Sequence, residues 1–176
     1  MASSSGSMTL AQATKLCDAA VATCQSRGFA PVTVYVCDAN GEVVTSQRMD
    51  GCSAKVIPDQ ARAKAYTSTS LKMSSRAFRD KYTAGSDPAK YCQMISMVNI
   101  SGGSLAPFPG GVLLRTPKDN SIFGSIGVSG AAGDEDEFCA LEAARALDLG
   151  LLTEPAEHSL KGAKRQREEG IAGSGN

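Results

Sequence analysis

Apolar side chains recur at helical spacing along Leu10, Ala13, Cys17, Ala20, Val21 and Cys24. They form one stripe of an amphipathic helix. Thr9 stands where an N-cap belongs and Gly28 where the helix ends near Arg27. The pattern then changes period. Pro31 to Cys37 alternates as a strand, Asp38-Ala39-Asn40-Gly41 is an Asn-Gly hairpin turn, and Glu42 to Arg48 returns as the partner strand. Met49-Asp50-Gly51 closes this ribbon.

Pro58, at a first helical position, opens a second helix predicted to run to about Phe78. Its residues Ala61, Ala63, Ala65, Thr67, Ser68, Thr69, Ser70, Ser74 and Ser75 leave little bulk on any side. Such a surface suits either a subunit interface or a flat ligand laid beside the helix, because an ordinary surface helix carries more Glu and Lys. Residues 79–90 are polar and turn-rich, with room for a short helix. Tyr91 to Ile100 is apolar enough for strand or helix, and periodicity does not separate the two. Val112 to Arg115 and Ser121 to Ser129 read as paired strands around a Pro-Lys-Asp-Asn turn. The second strand runs into a glycine-rich turn and a last helix from about Asp134 to Leu149, with Asp134 as its expected cap. Hairpins separated by helices predict an α+β fold, an antiparallel sheet of about five strands flanked by helices. The predicted domain spans residues 9–153, with a flexible leader at 1–8 and a polar tail at 154–176.

Composition narrows the chemistry. Eighteen basic residues balance eighteen acidic ones, so the broad basic face that nucleic acid requires is absent. No apolar run is long enough to span a bilayer. The six cysteines form no C-x-x-C pair and lie near no histidine, so they read as reduced core residues of an intracellular, cytoplasmic protein, with no metal site. The only histidine is His158, in the polar tail, where a solvent-exposed position is expected. A Ser-His or Cys-His mechanism therefore has no support. Gly124-x-x-Gly127-x-x-Gly130 lacks the dinucleotide spacing and its β-α-β setting. The acidic run Asp134 to Glu137 would repel a phosphate there.

Several segments together carry a resemblance: Val36-Cys37-Asp38-Ala39-Asn40-Gly41, Arg48-Met49-Asp50-Gly51, the helix around Ala61 to Ala65, Phe108-Pro109-Gly110-Gly111, Gly124 to Gly130, and Asp134 with Asp136. In this order, over residues 9–150, they resemble the GlcG/HbpS family, which also supplies the C-terminal domain of PduO-type cobalamin adenosyltransferases. The resemblance implies a profilin-like fold, homo-oligomeric assembly and haem or tetrapyrrole binding. Some relatives ligate haem iron through a histidine of the first helix, and this chain has none there. The side chains chemically able to replace it are Met49, Cys52, Tyr66 and Met73.

Within the resembled motifs, Arg48, Asp50 and Lys64 are expected to share a cleft and bind a carboxylate, with Asp50 fixing the Arg fork. Gly110, Gly111, Gly127, Ser129 and Gly130 are expected to line it with backbone N–H groups. Asp134 and Asp136 read as capping residues or a carboxylate pair. Three functions fit: a small-ligand-binding protein for haem or an anionic ligand, an enzyme acting on a small organic acid through Lys64 and Asp50, and a non-catalytic accessory oligomer.

Overall fold

A computed structural model describes residues 7–160. The chain runs α1 (Leu10–Arg27), β1 (Thr33–Asp38), β2 (Val43–Arg48), α2 (Val56–Leu71), α3 (Ser75–Thr83), a 3-10 turn (Ala84–Ser86), α4 (Pro88–Ile100), β3 (Gly111–Arg115), β4 (Ile122–Ser129), α5 (Gly133–Ala146) and β5 (Leu152–Glu154). The strands form one antiparallel sheet in the order β2-β1-β4-β3-β5. Helices α1 and α5 cover one face and α2 the other. The expected α+β fold with five strands is the one observed.

Alternation along β4 explains the two layers. Ile126 and Val128 join Val34, Val36, Val112 and Leu114 in the main core beneath α1 and α5. Ser125, Gly127 and Ser129 point the other way, at α2. The Ser125 hydroxyl donates to the Ala65 carbonyl oxygen at 2.8 Å. A side chain at Gly127 would overlap the Ala61 carbonyl, and one at Gly111 the Lys64 carbonyl. The small residues of α2 are therefore answered by small residues of the sheet. Ala61, Ala65 and Ser68 are buried against it, so on this face of the helix small side chains serve the close approach to the sheet.

Other boundaries moved for local reasons. The second helix stops at Leu71, because Lys72 turns left-handed (φ 56°) and the Ser74 hydroxyl caps a new helix by accepting from the Ala77 N–H at 3.0 Å. The ambiguous segment is α4. Its start carries an Asp87 cap accepting from Ala89 N–H, and Pro88 in the first position. Asp134 does not cap α5. Ala132 occupies that place, and the Glu135 carboxylate accepts its N–H at 3.2 Å.

The polar tail begins later than predicted. Glu154 belongs to strand β5 and accepts the Ser74 N–H at 3.2 Å. His158 is half-buried, its ring edge-on to Phe138 with centroids 4.6 Å apart, so it is not the exposed residue expected. Met8, assigned to the leader, is buried in the main core. The remainder of the predicted leader and tail, residues 1–6 and 161–176, lies outside the described residues. None of the described helices is long and apolar enough to cross a membrane.

Candidate functional site

Helix α2 is the element around which the candidate chemistry collects. Its inner face is fixed on the sheet, and residues 101–110 cross over it. Thr67 and Ser75 pin that crossing: the Ala106 N–H donates to Thr67 Oγ1 and the Gly111 N–H to Ser75 Oγ, each at 2.8 Å, while Ser75 donates to the Phe108 carbonyl. A cavity opens on each flank of the helix.

The first cavity, about 320 Å³, is lined by Ile57, Gln60, Lys64, Phe108, Pro109, Ser129, Gly130, Asp136 and their neighbours. Lys64 is buried, and its ammonium donates to the Val128 carbonyl (2.8 Å), the Asp136 carboxylate (2.9 Å) and Ser129 Oγ (3.2 Å). All three ammonium donors are thereby used. Asp136 also accepts the Ala131 N–H at 3.0 Å. Burial pushes the Asp136 carboxyl up to about 6, against the downward pull of Lys64. A side chain at Gly110 would collide with the Lys64 ammonium. Beside this pair, Arg76 of α3 holds Asp134 and the fully buried Glu137, with 2.9 Å to the latter. The acidic start of α5 is thus clamped from α2 and α3.

The second cavity is larger, about 420 Å³, and lies between α2 and the turn that ends α4. Asp59, Arg62, Ala63 and Tyr66 line one side, and Gly102, Gly103 and Ser104 the other. The four helical residues share a flank by their spacing of three and four. Neither the Arg62 guanidinium nor the Tyr66 hydroxyl has a hydrogen-bond or ion-pair partner among the described residues, whereas the buried polar side chains are satisfied. The Tyr66 ring lies beside the hairpin turn at Gly41, where φ is 85° and a side chain would press on Thr69 Oγ1.

The predicted site residues divide accordingly. Lys64, Ser129 and Gly130 meet at one cavity, and Gly110 adjoins the Lys64 ammonium there. Arg48 and Asp50 do not join them. Both are exposed on the β2 ribbon, and Arg48 donates to the Cys52 carbonyl at 2.8 Å. The carboxylate partner of Lys64 is Asp136, not Asp50. Gly111 and Gly127 serve the close approach of α2 to the sheet instead of lining a cleft. Asp134 and Asp136 are ion-pair partners, so neither is the capping residue expected. Arg62 and the 102–104 turn were missed, since nothing in sequence marks which flank of a helix a distant loop will face.

Of the possible iron ligands, Met49 Sδ accepts the Val32 N–H at 3.4 Å, Cys52 is buried against Thr33 Oγ1, and Met73 packs on the Phe78 cluster. Tyr66 alone of the four lines a cavity described above. Six free thiols are present; burial pushes those of Cys17 and Cys37 up to about 12. Among the described residues no cluster of three His, Cys, Asp or Glu side chains is placed to hold a metal ion.

A family profile described as haem-degrading protein HbpS-like matches residues 8–145. Among solved structures, a PduOC–haem complex superposes with a TM-score of 0.69 at 25% identity, covering 81% of this chain and 96% of that one. HbpS superposes with a TM-score of 0.66 at 28% identity, over 84% and 94%. A double mutant of HbpS from Streptomyces reticuli gives 0.66 at 29%, over 84% and 90%. No curated protein matches the chain.

Proposed function

The chain belongs to the HbpS-like family, and from that premise we propose that it binds haem or a related tetrapyrrole, in a haem- or cofactor-handling role. The ligand is assigned to the larger cavity on the outer flank of α2. The observation that carries this reading is Arg62, an exposed guanidinium without a partner among the described residues, at the edge of a cavity of about 420 Å³. That volume falls within the range of about 300–1,000 Å³ typical of small-molecule pockets. Haem presents a flat apolar ring and two carboxylates. Arg62 suits a carboxylate, and Gly102 with Gly103 forms a wall free of side chains against which a flat edge fits. The exposed rim lets a ligand wider than the cavity project into solvent. Similarity to a protein solved with haem supports the same reading.

Haemin titration, followed by the Soret band, tests it. The wild type should shift the band, and Arg62→Ala should weaken binding about tenfold, the effect of one charge-assisted contact. An unshifted band in the wild type rejects the haem reading.

The buried Lys64–Asp136 pair favours a second reading, an enzyme acting on a small organic acid in the 320 Å³ cavity. There Lys64 would anchor the acid's carboxylate by exchanging its 3.2 Å contact with Ser129 Oγ for it, and Asp136 takes the role of its carboxylate partner. A small acid in crystals beside Lys64, with no haemin binding, would put this reading first. We further propose an intracellular homo-oligomer. The free thiols support the location, and the exposed Tyr91, Ile95 and Ile100 of α4 support assembly.

A further inference from the structure

We propose that the cavity beside Lys64 takes a monocarboxylate with an apolar body. Lys64, Ser129 and the Gln60 carboxamide hold its carboxylate, and Ile57, Phe108 and Pro109 receive its body. This rests on the small-acid reading above and adds to it the class of acid and a role for Gln60.

The polar end of the site is built from donors. An ammonium only donates, so Ser129 Oγ accepts from Lys64 at 3.2 Å. The Ser129 proton is then directed to Gln60 Oε1, also at 3.2 Å. That bond fixes the orientation of the carboxamide. It leaves the Nε2 amino group of Gln60, a half-buried residue of the lining, without a partner among the described residues. Ammonium, hydroxyl and amino group thus stand together at one end of the cavity, where a carboxylate accepts from all three. Lys64 releases Ser129 to meet it, while its bonds to Val128 and Asp136 keep the ammonium in place.

The opposite walls are apolar. Pro109 is buried and packs on Gly133, where an added Cβ would lie 3.3 Å from its ring. The Phe108 carbonyl accepts from the Ser75 hydroxyl, so the backbone of that wall is fixed while the Phe108 ring stays 50% exposed at the cavity edge. Ile57 is half-buried. A few polar groups set among apolar walls, in about 320 Å³, is the make-up of a small-molecule site. The surrounding charges admit one carboxylate and oppose a second. Asp136 pairs with Lys64, and Asp134 and Glu137 share Arg76. Glu135 accepts the Ala132 N–H. Carboxylates therefore outnumber these two cations at the start of α5, and a ligand with a second carboxylate would be repelled.

The experiment is a two-dimensional NMR titration of the full chain with acetate, benzoate and succinate. Benzoate should bind at least about tenfold more tightly than acetate, through burial of its ring, and succinate no more tightly than acetate. Gln60→Met keeps the length of the side chain, removes the donor and should weaken benzoate about tenfold. Phe108→Ala should weaken benzoate several-fold and leave acetate unchanged, a split that general loss of structure does not produce. Circular dichroism checks that each variant is folded. If benzoate binds and both variants leave its affinity unchanged, it binds elsewhere and the assignment is overturned. If acetate or succinate binds as tightly as benzoate and Gln60→Met weakens it, the apolar class is overturned and the small-acid reading stands. If the wild type binds none of the three, both are overturned.

Discussion

Replacing Lys64 by Met keeps most of the side-chain volume and removes the charge. Asp136 would then keep the Ala131 N–H as its hydrogen-bond donor, in a site where it is 2% exposed. Breaking a buried ion pair from one side costs about 3–5 kcal/mol. That cost requires Asp136 to be ionised, so it depends on pH. In the folded wild type the carboxyl is raised to about 6, above its unfolded value of about 3.9. Between these values the native state holds more protons than the unfolded one, so the contribution of Asp136 to stability falls as pH rises from about 4 to about 6 and levels off above. Without Lys64 the carboxyl rises further, and the fall continues to higher pH. The gap between variant and wild type should therefore widen with pH: near pH 5 it reflects mainly the three hydrogen bonds of the lost ammonium, and near pH 8 the unpaired Asp136 charge brings it to about 3–5 kcal/mol or more. Urea unfolding at both pH values measures it. The double variant Lys64→Met, Asp136→Leu should recover most of the loss, because no buried charge remains. A cost below about 1 kcal/mol near pH 8, or one equal at both pH values, would refute the argument.

Gly127→Ala should destabilise by about 3 kcal/mol or more, since its methyl group meets the Ala61 carbonyl and the Ala65 backbone; Gly28→Ala, with open space around it and φ of 64°, should cost only about 1–2 kcal/mol in the same denaturation assay. His158→Ala should cost about 1 kcal/mol through the lost Phe138 contact, visible as a drop of a few degrees in Tm, and truncation after Thr153 should cost more, by removing the Glu154 strand pairing as well. Light scattering at micromolar concentration should give at least a dimer mass, and a clean 18.2 kDa monomer would reject the assembly.

The sheet, its hairpins and the first and last helices were legible because local chemistry and tertiary packing agree there. Thr9 and Gly28 each have one natural conformation, and the structure uses it; at the hairpin only Gly41 takes the positive φ, and its N–H donates to the Asp38 carbonyl. The break after Leu71 was hidden: it depends on Lys72 adopting a positive φ, which no lysine advertises. The candidate site was half legible. Lys64 was found from its motif, but its partner was placed on the wrong element. Asp50 is close in sequence, whereas Asp136 is 72 residues away and reads first as a helix-start acid. Arg62 and Tyr66 gain their setting only when the 102–104 turn closes over them, a contact between segments that share no periodicity. The half-buried position of His158 is not legible from the polarity around it, since its edge-on contact with Phe138 joins segments 20 residues apart that share no pattern.

The contact of α2 with β4 through Gly127 also governs how this protein adapts to what it binds. Backbone rests there almost directly on backbone, with no side chain between to change rotamer. Helix α2 therefore has no cushion: it cannot tilt toward or away from the sheet as a ligand arrives. Widening of the outer cavity has to come from its other wall, the turn at Gly102 and Gly103 and the α4 helix it terminates. The fold thus joins a fixed jaw to an adjustable one, and differences in ligand size among variants should register as motion of α4, with α2 and the sheet left in place.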